Sequence, residues 1–387
     1  MIPLSILEKT IDACLIGFAA FSMFSISLTQ LCVGVGVVGW LIRVQMTRSW
    51  NELDLPLGRV FFIFVVACVL AVVTSVAPVK SAGMLKKTLL VAIFFWVINV
   101  LKNETQKELL LKILLISACL AALYGISQAI ALGVSISTRV EGTMSIYMTF
   151  AGVIMLAVLM ASGRFLFHLP REKWIGVVII FLGVCLLLTL TRQAWLGTLA
   201  GLFFLLWVFR RTYLIVLPAI LVLVLVVGPA SVKHRLLSVV NFKDETFLIR
   251  VQLWQAGWQI FKDYPFTGCG FKCVDSVYPQ YPEHAAVLSK YKGMHNNLLQ
   301  VAVDTGLLGL SAWLSIWICF FLVMYKTSIA GKGNSQRWII LGSTSAVIGF
   351  LAGGIFEVNF YDSEVVMLLY FLMALPFSRR QANTPDD

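Results

Sequence analysis

Apolar runs near the length of a bilayer crossing, broken by short polar links, set the pattern of this chain. A spanning helix needs about 20 predominantly apolar residues. The first run, Thr10 to Ile42, holds no Lys or Arg and is too long for one crossing. Gln30 and the glycines after it suit a turn, so the run reads as two spans. Further spans are expected at Val60–Ser75, Leu85–Leu101, Leu109–Leu132, Ile146–Ala161 and Trp174–Leu190. The eighth runs from the link TRQAW (Thr191–Trp195) to Arg210 and Arg211, and the ninth covers Leu214–Val227. The last three are Asn297–Tyr325, Trp338–Phe356 and Val365–Phe377. The fold class that follows is an all-α polytopic membrane protein of about 12 transmembrane helices. It reads as a single integral membrane domain over residues 1–387, with one large polar loop, residues 230–296, between spans nine and ten.

Charge orients this arrangement. Twelve spans put both termini on one side. Short loops on that side carry Lys9, Arg43, Arg48, Arg59, Lys102, Lys107, Lys112, Arg164, Arg171, Lys173, Arg210, Arg211, Lys326, Lys332, Arg337, Arg379 and Arg380. Short loops on the other side carry only Lys80, Lys86, Lys87, Arg139 and Arg192. Excess Lys and Arg marks the cytoplasmic side. Both termini are therefore expected in the cytoplasm and the long loop outside. The N-terminus reads as a first span, not a cleaved signal peptide.

Composition agrees: 59% of residues are hydrophobic and 13% charged, against about 25% charged in soluble domains. The net charge of +11 is spread between apolar blocks, which favours orientation and anionic membrane lipids over nucleic acid as partner. Four histidines without a second ligand nearby give no metal spacing. Six of the eight cysteines lie within apolar blocks and pack as small hydrophobes. Cys269 and Cys273 share the polar loop. They could form a disulfide if the loop is exported, but so short a loop strains bridge geometry and favours two thiols.

The few cations on the loop side stand out. Arg139 lies in STRVEG, Arg192 in TRQAW and Arg250 in the long loop, while Lys80, Lys86 and Lys87 flank the fourth span. Glu141 is the one acid close to any of them in the short loops. Cations without a local partner at a low-dielectric boundary suit an anion, and the planar fork of Arg grips phosphate oxygens in pairs. Taken singly, each could snorkel to lipid headgroups. Around Arg250, a helical projection puts Phe247, Val251, Trp254, Trp258 and Phe261 on one face and Gln252, Gln255, Gln259 and Lys262 opposite. Arg250 falls within the apolar arc, which points it into the protein or the headgroup layer. A structural salt bridge is the alternative. His295 precedes the apolar run NNLLQVAVDTGLLGL and is expected in the first turn of span ten. A neutral imidazole there can act as a general base, or it can simply cap the helix.

The segment from Arg250 through PFTGCGF (Pro265–Phe271) to HNNLLQVAVDTGLLGL (His295–Leu310) resembles the signature of the O-antigen ligase and polymerase superfamily, and TRQAWLG (Thr191–Gly197) resembles its Arg-x-x-x-Trp/Gly span start. The resemblance implies a GT-C-type fold with a periplasmic loop containing amphipathic helices. It implies an inverting, metal-independent glycosyltransferase of the bacterial inner membrane, with no cofactor. The donor would be a glycan on undecaprenyl diphosphate and the acceptor a lipid A–core oligosaccharide. His295 would be the general base. Arg192 and Arg250 would bind the diphosphate leaving group, with Arg139, Lys86 and Lys87 as further diphosphate-binding residues. An O-antigen polymerase using the same donor comes next, then a protein O-oligosaccharyltransferase. A transporter is disfavoured, because transporters concentrate ionisable residues near the midplane whereas these gather at one interface.

Overall fold

The computed structural model describes residues 3–378 apart from 240, 242 and 331–335. Arg379, Arg380 and Lys332, used above to orient the chain, lie outside the described residues. Every regular element among the described residues is helical. In chain order the α-helices are α1 (Leu4–Phe21), α2 (Ile26–Thr47), α3 (Gly58–Val73), α4 (Pro78–Ala82), α5 (Ala92–Val100), α6 (Glu104–Leu132), α7 (Tyr147–Phe167), α8 (Lys173–Leu188), α9 (Arg192–Phe209) and α10 (Val216–Val227). They continue as α11 (Ala230–Leu237), α12 (Glu245–Asp263), α13 (Val274–Val277), α14 (Ala285–Tyr291), α15 (Asn297–Ala330), α16 (Arg337–Gly353) and α17 (Ser363–Ala374). A 3-10 segment, Leu85–Val91, runs directly into α5.

Each expected apolar span corresponds to a helix. By length and composition, six helical segments suffice to cross a membrane: Ile26–Thr47, Pro78–Val100, Glu104–Leu132, Tyr147–Phe167, Arg192–Phe209 and Asn297–Ile329. The other apolar helices are shorter, such as Gly58–Val73 and Arg337–Gly353. The first turn falls elsewhere than expected. The chain reverses at 22–25, where the Ser25 hydroxyl accepts from Leu28 N, and Gln30 lies inside α2. Ser25 wins because it can cap a helix, whereas a lone Gln inside a helix costs little.

The bundle is built around α7, in which every residue from Thr149 through Arg164 is buried. Helices α16, α9, α8 and α17 all pack against it. Outward-facing side chains are large and apolar, with Phe62, Ile180 and Val226 all more than two-thirds exposed. Such a girdle suits lipid, not water. Between lipid-facing helices there is little hydrophobic drive, so close approach of small residues does the packing. Gly197 of α9 meets Gly349 of α16 so closely that a Cβ on Gly197 would lie 2.4 Å from the Gly349 carbonyl oxygen. A larger residue at either position would force these helices apart.

The polar segment folds on its own core. Leu253, Ala256 and Ile260 of α12 are buried together with Val274, Val277, Tyr281, Leu288 and Met294. The buried face of α12 is thus Leu253–Ala256–Gly257–Ile260. Arg250 extends that stripe at i, i+3 and i+7. Trp258 is exposed and stacks on Phe261, ring centroids 5.6 Å apart. The expected aromatic face is split: Trp254 turns inward, its ring centroid 5.9 Å from that of Phe356, and Phe247 lines a groove with Arg250, while Trp258 points away from the protein.

This segment is joined to the bundle through a break in α15. Gly306 has φ 63°, which interrupts the helix and frees backbone groups on either side. The turn Pro265–Gly270 takes them up. Leu307 N donates to Pro265 O (2.8 Å) and Leu308 N to Phe266 O (3.1 Å), while Cys269 N and Gly270 N donate to Val303 O (2.9 Å) and Asp304 O (3.1 Å). Added Cβ atoms would clash: one on Gly306 would lie 2.3 Å from the Phe266 backbone, and one on Gly268 2.4 Å from that of Asp304. Cys269, within this turn, and Cys273, just past it, are bonded as a disulfide, their Cα atoms 5.6 Å apart. The preference for two thiols is thereby corrected. Residue spacing alone misses that the Cys269 backbone is itself pinned, its N donating to Val303 O (2.9 Å) and its O accepting from the Ser75 hydroxyl (3.1 Å).

Candidate functional site

Two recesses open on the side of the bundle that carries the 230–296 segment. The first is a groove lined by Arg192, Gln193, Leu196, Ser238, Arg250 and Phe356. Leu190, at φ 53°, and extended Thr191 separate α8 from α9 and leave Arg192 as the first residue of α9. A cation there opposes the helix dipole by about 0.3–1 kcal/mol, so it needs a partner. It has one. Its guanidinium donates to Ser238 O and Oγ (both 3.1 Å), to Asp244 Oδ1 (3.0 Å) and, by a short bond, to Thr246. Burial alone would raise the Asp244 carboxyl, but hydrogen bonds from Thr246 and Arg192 outweigh it and hold it below its usual range. Arg192 has no acidic partner nearby in sequence, but the fold supplies Asp244. The partner comes from over fifty residues away, beyond the reach of a local reading.

Arg250 is half-buried. Its Nε donates to Phe356 O (3.0 Å) and its Nη1 to Thr246 O (3.3 Å). Burial lowers its pKa, and Glu357 partly opposes this. A third arginine, absent from the sequence reading, stands behind them. Arg235 is 6% exposed, donates to Leu190 O (3.3 Å), and is lowered to about 10, first by burial and then by Arg192 and Arg139. Arg139 itself lies over the Tyr147 ring at 4.4 Å, at the edge of a neighbouring hollow with Gln128 and Glu141. Among the described residues, Arg139, Arg235 and Arg250 have no ion-pair partner. By contrast, Arg164 and Lys107, where α6 and α7 approach α8 and α16, are paired with Glu172 (3.0 Å) and Glu104 (2.9 Å).

The second recess is a cavity of about 490 Å³, lined by His295, Glu357, Lys87, Asp304, Asp362 and Glu364 among others. It lies within the range of about 300–1,000 Å³ usual for small-molecule sites. His295 is not in the first turn of α15. It lies two residues ahead, at φ 46°, while Asn296 caps the helix by accepting from Leu299 N (3.0 Å). The strained backbone throws the ring towards the cavity. Its Nδ1 meets both carboxylate oxygens of Glu357, at 3.1 and 3.2 Å. Lys87 donates to Tyr361 O and lines this cavity, whereas Lys86 is exposed. Burial, and then Asp304, push the Tyr361 phenol well above its ordinary value.

Groove and cavity meet at one dipeptide. Phe356 O holds Arg250 and the Glu357 side chain holds His295. Arg250 and His295 are therefore brought to neighbouring points, as are Arg192 and Arg250. Arg139 borders its own hollow, and Lys87 belongs to the cavity instead of the groove. Glu357, Asp244 and Arg235 went unnoticed in the sequence. The available signal for Glu357 was an acid in a short link on the side otherwise marked by unmatched cations.

A family model described as O-Antigen ligase matches residues 175–314. That stretch runs from α8 past the Gly306 break and includes Arg192, Arg235, Arg250 and His295; Glu357 lies beyond it. No curated protein matches the chain.

Proposed function

From its place in the O-antigen ligase and polymerase superfamily, we propose that this membrane protein is an inverting glycosyltransferase of GT-C type. It moves O-antigen glycan from undecaprenyl diphosphate to a lipid A–core oligosaccharide at the periplasmic face of the inner membrane. All twelve apolar helices cross in this reading, and both termini are cytoplasmic. The observation that carries the reading is the junction of an arginine groove with a histidine cavity at Phe356–Glu357.

The chemistry needs two things at adjacent points. The diphosphate gains charge as the anomeric C–O bond breaks, so preorganised cations lower the barrier. Arg192 and Arg250 face that charge, backed by Arg235 and flanked by Arg139. A diphosphate entering the groove would compete with Asp244 for the Arg192 fork. The acceptor hydroxyl must lose a proton as its oxygen attacks the anomeric carbon, and His295 is the group in the cavity suited to take it. Guanidinium groups carry the charge that a metal would otherwise carry, so the reading needs no metal.

The deciding experiment reconstitutes the purified protein with a lipid-linked glycan donor and offers lipid A–core, a second lipid-linked glycan and a peptide separately. Extension of lipid A–core is expected. Extension of the second lipid-linked glycan alone would make the protein a polymerase, and no extension of any acceptor would overturn the reading.

A further inference from the structure

The cavity holds a carboxylate that the proposed chemistry does not yet use. We propose that Glu357 is the positioning residue that fixes the tautomer and orientation of His295. The inference rests on the reading of His295 as general base and adds to it how that base is made competent.

The geometry leaves Glu357 little else to do. Both its oxygens approach His295 Nδ1, and Oε1 also accepts from Val358 N at 3.1 Å. Arg250, the nearby cation, gives its hydrogen bonds to the carbonyls of Phe356 and Thr246 and not to this carboxylate. A carboxylate can only accept, so Nδ1 must carry the hydrogen. Nε2 is then the bare nitrogen, and a bare nitrogen is what a base needs. Both residues line the same cavity.

The segment bearing Glu357 is braced by the second asparagine of the His-Asn-Asn motif. Asn297 is 2% exposed. Its backbone N donates to Gly354 O (2.7 Å), its Oδ1 accepts from Phe360 N (3.1 Å), and its Nδ2 donates to Asn359 Oδ1 (2.5 Å). Asn297 therefore ties the start of α15 to both sides of Glu357. His295 and its orienting carboxylate, 62 residues apart in sequence, become one rigid unit. Supporting residues that lock a functional side chain in this way are what precise placement requires.

In the reaction the acceptor oxygen forms a bond to the anomeric carbon as its proton passes to His295 Nε2. The anomeric C–O bond to the diphosphate breaks, and its electron pair leaves on the diphosphate oxygen. The ring is then an imidazolium, and the adjacent Glu357 carboxylate stabilises it. The proton afterwards passes to solvent, restoring the base.

The test pairs spectroscopy with kinetics on the full chain in lipid nanodiscs. With ¹⁵N-histidine labelling, the His295 signal is identified by its loss in His295→Ala. Nδ1–H with bare Nε2 is expected in the wild type, with a shift to the Nε2–H form in Glu357→Ala. An unchanged tautomer in Glu357→Ala overturns the inference. With the undecaprenyl-diphosphate glycan and lipid A–core as probes, Glu357→Ala should lower kcat about 100-fold, the low end of what a positioned base contributes. Acceptor KM should stay within about twofold. Glu357→Gln keeps a hydrogen-bond acceptor without the charge and should fall between; it also serves if the alanine variant fails to insert. Wild-type kcat in both variants, or a raised KM at unchanged kcat, overturns the inference. Normal transfer by His295→Ala would instead sink the base assignment, and the tautomer readout would still judge Glu357.

Discussion

The arginine groove and the His295 cavity share a wall yet are built from opposite materials. The groove gathers Arg192, Arg235 and Arg250 around one carboxylate, Asp244, and leaves positive charge unmatched. The cavity is lined by both signs, Glu357, Asp304, Asp362 and Glu364 together with Lys87, Lys272 and Lys292. A surplus of one sign suits a ligand that brings the other. A balanced lining of donors and acceptors suits a neutral ligand rich in hydroxyls. The difference teaches that the two-substrate site proposed for this chain need not be one pocket with two ends. It can be two differently charged recesses hinged on a shared strip of backbone.

Substitutions can break or sharpen that contrast. The largest effect is expected from His295→Ala, which should abolish glycan transfer in reconstituted vesicles while the protein still inserts; measurable long-chain product would sink the base assignment. Arg250→Lys keeps the charge but loses the fork, and should cost roughly 100-fold in transfer rate, on the scale of removing one preorganised donor. Near-wild-type rates would make Arg250 a structural residue. Lys87→Ala should lower transfer several-fold while Lys86→Ala leaves it unchanged, because only Lys87 lines the cavity; equal effects on the two, measured side by side, would contradict that assignment. The smallest effect is expected at Trp258, exposed on the far face of α12. Trp258→Ala should shift stability by no more than about 0.5 kcal/mol, read as the melting temperature in detergent.

Much of the fold was legible because a bilayer permits so few solutions. Backbone groups in lipid must pair within the segment, so each apolar block had to be a helix. Local chemistry was less visible. The reversal at 22–25 depends on the Ser25 cap, a single hydroxyl in an apolar run. His295 and Arg250 could be read from their neighbours, one at the edge of an apolar run and the other on the wrong face for a surface arginine. Glu357 and Asp244 could not. Each acquires meaning only from a partner more than fifty residues distant, His295 for one and Arg192 for the other. The Cys269–Cys273 bond was likewise a property of how the turn is anchored, not of the spacing of its cysteines.

The break at Gly306 has a consequence for exchanging parts between relatives. The polar segment reaches the bundle through the turn at 265–270, whose carbonyls and amides replace the hydrogen bonds that α15 lacks at its break. Neither piece is complete without the other. A chimera that grafts a foreign polar loop onto this bundle at the loop's own ends would leave α15 with unpaired backbone inside the protein, at about 1–3 kcal/mol for each orphaned group. The transplantable unit is therefore the whole segment from α11 through Leu308, which keeps the core shared by α12 and the 274–294 stretch together with the half-helix that the turn completes.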